Sequence, residues 1–175
     1  MKNTRQEVYA AIDSEREYQN TTVAERFGRQ FDRTDSLGGH LAILQDYYNE
    51  ALHAWAREEG DVPCLNVVRK LAGIVTRCLE QVAVPLWMGK VPATECSARY
   101  LVYCAFDAER TKQLARWGEL DKINRVGDFL CYIKRYIDRA VYECNPSTPG
   151  ESCAQLIKVG ALCIAAMESL GAHNR

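Results

Sequence analysis

Residues 70–80, Lys-Leu-Ala-Gly-Ile-Val-Thr-Arg-Cys-Leu-Glu, return as residues 158–168, Lys-Val-Gly-Ala-Leu-Cys-Ile-Ala-Ala-Met-Glu. Both copies run Lys, a large aliphatic, two small residues and another large aliphatic, and both close on an apolar residue followed by Glu. The segments ahead of them repeat in the same order: Ile12-Asp-Ser-Glu-Arg16 with Gln19 matches Phe106-Asp-Ala-Glu-Arg110 with Gln113, and Tyr47 and Ala51 align with Tyr136 and Ala140. A chain that repeats its own order is expected to fold as two versions of one unit. The apolar spacing inside each unit is helical, as in Leu41, Leu44, Tyr48, Ala51, Leu52 and Trp55, or Leu65, Val68, Leu71, Val75 and Leu79. The expected fold class is therefore all-α, with two pseudo-repeated three-helix units packed into one bundle about a pseudo-two-fold. The units are residues 1–83 and 94–175, joined by a linker over 84–93 that Pro85, Gly89 and Pro92 punctuate. A unit of this size alone buries only ~60–65% of its unfolded-chain surface, so each gains from the other's face.

Local signals place the helices. Thr4-Arg-Gln-Glu7 has the form of a capping box, and the helix it opens runs to Tyr18 or Gln19. From 21 to 37 the periodicity disappears, giving a long ordered loop in which Arg26, Arg29 and Arg33 alternate with Phe27, Phe31, Asp32 and Asp35. Gly38-Gly39 breaks the chain before a second helix over 40–57, and Asp61 caps a third over 63–82. In the second unit Thr94 caps the first helix, the connection from Gln113 to Gly127 is shorter than its counterpart, and the last helix, 151–170, ends on Gly171.

Charge and composition exclude several classes. With 22 basic and 23 acidic residues the chain has no global field to draw nucleic acid or an anionic membrane. No apolar run approaches the ~20 residues of a membrane span, and the start lacks the apolar centre of a signal peptide. The eight cysteines contain no Cys-x-x-Cys pair, which argues against zinc and for free, mostly buried thiols in a reducing cytoplasm. His40, His53 and His173 are dispersed and show no ligand spacing, so neither metal nor cofactor is expected.

The two units share Asp13/Asp107, Glu15/Glu109, Arg16/Arg110, Gln19/Gln113, Lys70/Lys158 and Glu80/Glu168, polar residues that core packing alone does not require. One reading is structural: Glu15 and Lys70 form an inter-helix ion pair supported by Arg16 and Glu80, and the second unit does likewise. The other is a ligand pocket where the first and third helices of a unit meet. It would use Glu15, Arg16, Lys70 and Glu80, with Arg77 one face-repeat from Lys70 and the loop of Arg26, Arg29 and Arg33 folded over it. Its second-unit equivalents are Glu109, Arg110, Lys158 and Glu168, with Ala165 where the first unit has Arg77. The loop arginines suit phosphates, while Glu25, Asp32 and Asp35 beside them suit a solvated salt-bridged loop.

Asp13-Ser-Glu-Arg-Glu-Tyr-Gln19 and Val67-Val-Arg-Lys-Leu-Ala-Gly-Ile-Val-Thr-Arg-Cys-Leu-Glu80 resemble a family of small uncharacterised proteins encoded by bacteriophages and prophages. In that family one copy of the unit makes up most of the chain, so here it would stand as a diverged tandem duplication. The resemblance implies a bacterial host cytoplasm and a phage accessory role, and brings no catalytic residues. Two function classes follow. The first is a binding protein without catalysis that captures a nucleotide-like anion or blocks a host defence protein. The second is a Mg²⁺-dependent all-α nucleoside-triphosphate pyrophosphohydrolase similar to the MazG group, whose helices pair carboxylates one turn apart. The spacing disfavours the enzyme: Glu143 stands alone, the Glu50 helix lacks a second acid one turn away, and Glu15 and Glu17 fall on different faces. Leu86, Trp87 and Trp117, apolar residues left over once the units pair, predict a homodimer contact.

Overall fold

Thr4 opens the first helix as its spacing predicts. Its hydroxyl accepts from the Glu7 N–H, while the Glu7 carboxylate accepts from the Thr4 N–H at 2.7 Å and from the Thr4 hydroxyl at 3.0 Å; these last two bonds hold the Glu7 carboxyl below its usual range. In the computed structural model, residues 2–23, 36–57, 60–88 and 95–172 are described. They form α1 (Arg5–Tyr18), α2 (Leu37–Ala56), α3 (Asp61–Met88), α4 (Glu95–Asp121), α5 (Val126–Tyr142) and α6 (Pro149–Leu170), with a π-helical turn, Gln19–Val23, after α1. Among the described residues there is no strand; the fold is all-α.

Four boundaries differ from the expectation. Gly38 and Gly39 do not break the chain; they lie inside the first turn of α2, because Ser36 is its N-cap and accepts from the Gly39 N–H at 3.1 Å. Glycine is tolerated there, where the N–H groups lack intrahelical partners and a side chain supplies one. Asp61 is the first residue of α3 rather than its cap, and α3 runs on to Met88 through Pro85, so 84–88 are helical and not linker. Pro85 lacks the N–H that would bond the Gln81 carbonyl, and the helix ends one turn later. Likewise α4 continues to Asp121, so what the sequence presents as connection after Gln113 is mostly helix.

A single hydrophobic core takes residues from all six helices, among them Ile12, Leu44, Leu71, Leu79, Phe106, Phe129, Ile133, Leu156 and Ile164. At its centre α3 packs along α6. Around them α1 and α2 lie on α3, α4 and α5 lie on α6, and α2 meets α5. Small residues on the two central helices let the outer helices approach: Gly73 of α3 lies against Glu15 and Gln19 of α1, and Gly160 of α6 against the Phe106 ring of α4. Although no such run stands out in the sequence, α6 is long and apolar enough to cross a membrane, with a mean hydropathy of 1.5 over its best window; 61% of that window is buried in the bundle.

Cys64, Cys78, Cys153 and Cys163 are free and buried, Cys104 and Cys131 free and exposed. Burial pushes the Cys64 thiol up to about 12 and the Cys153 thiol up to about 11. Leu86, Trp87 and Trp117 are solvent-exposed at 54%, 45% and 46%.

Candidate functional site

Arg5, Tyr9 and Asp13 recur every four residues and so form one stripe of α1, as Arg99, Tyr103 and Asp107 do on α4. The two stripes face each other. Tyr9 and Tyr103 stack with ring centroids 4.1 Å apart, and each hydroxyl donates across to the other helix's aspartate, Tyr9 to Asp107 and Tyr103 to Asp13, both at 2.8 Å. The arginines cross as well. Arg5 donates to Asp107 at 2.6 Å and to Glu168, while Arg99 reaches Asp13 at 3.4 Å and Glu80 at 2.8 Å.

Glu80 and Glu168 are where these crossings end. Each takes a second arginine from its own half, Arg16 to Glu80 at 2.9 Å and Arg110 to Glu168 at 3.0 Å. Those two arginines also hold the side-chain carbonyls of Gln19 and Gln113, at 3.2 and 3.1 Å. Each of these bonds has its counterpart in the other array, with α1 shifted onto α4 by 94 positions and α3 onto α6 by 88. Arg110 has one acid more, Asp121 at 3.0 Å. Burial works against the charge of Arg5, yet its bonds to Glu168 and Asp107 outweigh that and raise its pKa; Arg99 is raised in the same way by Glu80.

The phenols titrate with the fold. Burial, reinforced by Asp107, pushes Tyr9 well above its ordinary 10.0, and burial with the Asp13 charge does the same to Tyr103. Unfolded, both would ionise near the ordinary value; folded, both keep their protons. Above that value the unfolded chain therefore binds fewer protons, and stability falls as pH rises. An alkaline titration followed by circular dichroism is expected to show stability declining from about pH 10 upward, and Tyr9→Phe with Tyr103→Phe to flatten that decline. A pH dependence identical in the double variant would remove the phenols as its cause.

The sequence-derived candidates divide between this array and a second place. Glu15, Arg16 and Glu80 do come together on the inner side of α1 and α3, but the expected Glu15–Lys70 pair does not form. Glu15 instead meets Arg69 at 3.5 Å and accepts from Gln19 at 3.3 Å. Lys70, one residue and therefore ~100° further round α3, turns the other way. It donates to Glu50 of α2 at 2.7 Å and lies 5.4 Å from the Tyr47 ring centre. Arg77 is buried two turns beyond Lys70, about 10 Å along the axis. In the second half Arg110 and Glu168 join the array, while Glu109 pairs only loosely with Lys112 at 3.6 Å. Lys158 repeats the outward placement of Lys70, 5.3 Å from the Tyr136 ring and donating to Gln155 at 3.3 Å. Arg26, Arg29 and Arg33 lie outside the described residues. Arg5, Tyr9, Arg99 and Tyr103 were missed, although their fourfold spacing, matched at 94 positions, is legible in the sequence.

Lys70 borders an open groove of about 440 Å³ between α2 and α3, lined by Glu50, His53, Ala54, Arg57, Pro63, Asn66, Val67 and Lys70. Among the described residues, no group of three His, Cys, Asp or Glu side chains is placed to hold a metal ion.

Comparison with known proteins matches the chain to no family model, no curated protein and no solved structure.

Proposed function

We propose that this chain is a binding protein without catalysis, of the phage accessory kind, built by duplication of a three-helix unit. In this reading it captures a nucleotide-like anion or blocks a host defence protein in the bacterial cytoplasm. The observation that carries the reading is the state of the acids: Glu80 and Glu168 are each held by two arginines, and the acids on which an enzyme would draw are engaged as well, Glu50 by Lys70, Glu143 by Gln155 and Glu15 by Arg69. Carboxylates so engaged lock helices together, and recognition is left to the outer faces. The duplication is supported by the matched bonds, each of which maps onto a like bond across the Tyr9–Tyr103 stack when α1 is shifted by 94 positions and α3 by 88.

The test is calorimetry of the full chain with a panel of nucleotides, with and without Mg²⁺, run beside an assay for released pyrophosphate. Saturable heat with no turnover is the expected result. Metal-dependent pyrophosphate release would overturn the reading in favour of the enzyme.

A further inference from the structure

We infer that the groove between α2 and α3 is a site for a small phosphate monoester carrying a flat apolar group, a ligand of nucleoside monophosphate size, and that only the first half of the chain has it. The inference rests on the binding-protein reading above and gives it a place and a ligand class. The groove is built from two facing stripes. Glu50, His53, Ala54 and Arg57 lie at spacings of three, four and seven on α2, and Pro63, Asn66, Val67 and Lys70 repeat the same spacing on α3. Its volume of about 440 Å³ falls within the ~300–1,000 Å³ of small-molecule sites.

The floor and the rim differ in chemistry. Ala54, Pro63 and Val67 are apolar and offer a surface for a base or similar ring. The rim is rich in donors. Lys70 gives one of its three N–H bonds to Glu50 and is fixed by it and by the Tyr47 ring, so two donors remain on a positioned ammonium. The Asn66 carbonyl accepts from Arg69 at 3.4 Å, which leaves the Asn66 NH₂ to donate. Arg57 adds a guanidinium fork suited to phosphate, and His53 a ring nitrogen. Against these stands a single acid among the described lining residues, Glu50, already engaged by Lys70. A ligand that accepts many hydrogen bonds and carries negative charge answers such a rim.

The second half shows what the same place looks like when closed. Aligning Tyr47 with Tyr136 and Lys70 with Lys158 puts Glu143 where α2 has Ala54, and Gln155 where α3 has Val67. There Gln155 donates to both Glu143 oxygens, at 2.9 and 3.2 Å, and Lys158 donates to Gln155. That bridge spans the α5–α6 seam. Arg57 and His53 become Pro146 and Tyr142, which removes that guanidinium and imidazole, while Lys158 stays and Arg139 stands at the place of Glu50. The first half thus has an apolar floor and cationic rim where the second has a filled polar bridge.

The experiment uses the full chain and adenosine monophosphate as probe, with inorganic phosphate and adenosine as controls, in calorimetry. Adenosine monophosphate is expected to bind saturably, and each control at least roughly tenfold more weakly, since each uses only the rim or only the floor. Two variants are read beside the wild type: Ala54→Glu with Val67→Gln, which copies the second half's bridge, and Arg57→Gln, on an exposed side chain that leaves packing untouched. Both are expected to weaken binding at least roughly tenfold, Arg57→Gln at an unchanged melting temperature and the bridged variant, which places Gln at the buried Val67, with its helical fold confirmed by circular dichroism at the temperature of the binding measurement. Undiminished binding in Arg57→Gln and in the bridged variant would overturn the inference while leaving a binding protein with its site elsewhere. The absence of saturable heat from adenosine monophosphate at millimolar concentration would overturn it outright, whereas metal-dependent turnover in the preceding experiment would overturn the reading beneath it.

Discussion

Replacing Glu80 by Ala is expected to destabilise the fold by about 3–5 kcal/mol and to lower the melting temperature by on the order of 10 °C. The Glu80 side chain is 7% exposed and neutralises Arg16, itself 4% exposed. Without it, among the described residues, Arg16 keeps only the Gln19 carbonyl at 3.2 Å, so a guanidinium stays in the interior with no counter-charge. Arg99 fares better, because Asp13 remains within 3.4 Å. The matching change, Glu168→Ala, is expected to cost less: Arg110 retains Asp121 at 3.0 Å and Arg5 retains Asp107 at 2.6 Å. Removing both partners separates the cost of an orphaned charge from the worth of the pair. Arg16→Met with Glu80→Leu is expected to recover most of the loss, since two apolar side chains of similar volume need no solvation. Urea denaturation of the three variants beside the wild type measures this. A cost below about 1 kcal/mol for Glu80→Ala would mean that water reaches Arg16 and that the array is not structural.

How much of this could be read beforehand depended on whether a signal lay in one helix or between two. The six helices, the capping box at Thr4 and the closing glycine at 171 are local, and the apolar period showed them. Gly38 and Gly39 misled because glycine ordinarily interrupts a helix, whereas the Ser36 hydroxyl, three residues before Gly39, decides that this pair sits in a capped first turn. The array was half legible. Comparing residues 1–83 with 94–175 picks out residues kept in both, which found Arg16, Glu80, Arg110 and Glu168. The same comparison hides a residue present only once. Arg69, the partner of Glu15, has Ile157 at its counterpart, so Lys70, kept as Lys158, was given the role that its neighbour fills. The groove was invisible for the opposite reason. It exists because Ala54 and Val67 leave empty what Glu143 and Gln155 fill, and two unremarkable small side chains on separate helices announce nothing until the helices are packed.

Gly160→Ala is expected to destabilise the protein by about 1–3 kcal/mol, although alanine is the better helix former by about 1 kcal/mol. A Cβ at Gly160 would stand 2.3 and 2.4 Å from two carbons of the Phe106 ring, and Phe106 is fully buried, so the ring has nowhere to retreat. The first half solves the same junction with different volumes. Under the shifts of 94 and 88, Phe106 corresponds to Ile12 and Gly160 to Ala72, so a larger residue on α4 is offset by a smaller one on α6. Phe106→Ile alone should leave a void and cost roughly 1–2 kcal/mol. Combined with Gly160→Ala it reproduces the first half's pair, and the double variant is expected to lie closer to wild type than the sum of the singles by more than about 1 kcal/mol. Gly73→Ala is the internal control. Its Cβ would meet Gln19 Nε2 at 3.0 Å and Glu15 Cγ at 3.1 Å, parts of long side chains that can shift by a few tenths of an ångström, so its effect should be near zero. Denaturant unfolding of the three variants and the double reads all of this. A Gly160→Ala protein as stable as wild type would show that the ring tilts aside, and that the contact with Phe106 is not what requires a glycine at that position.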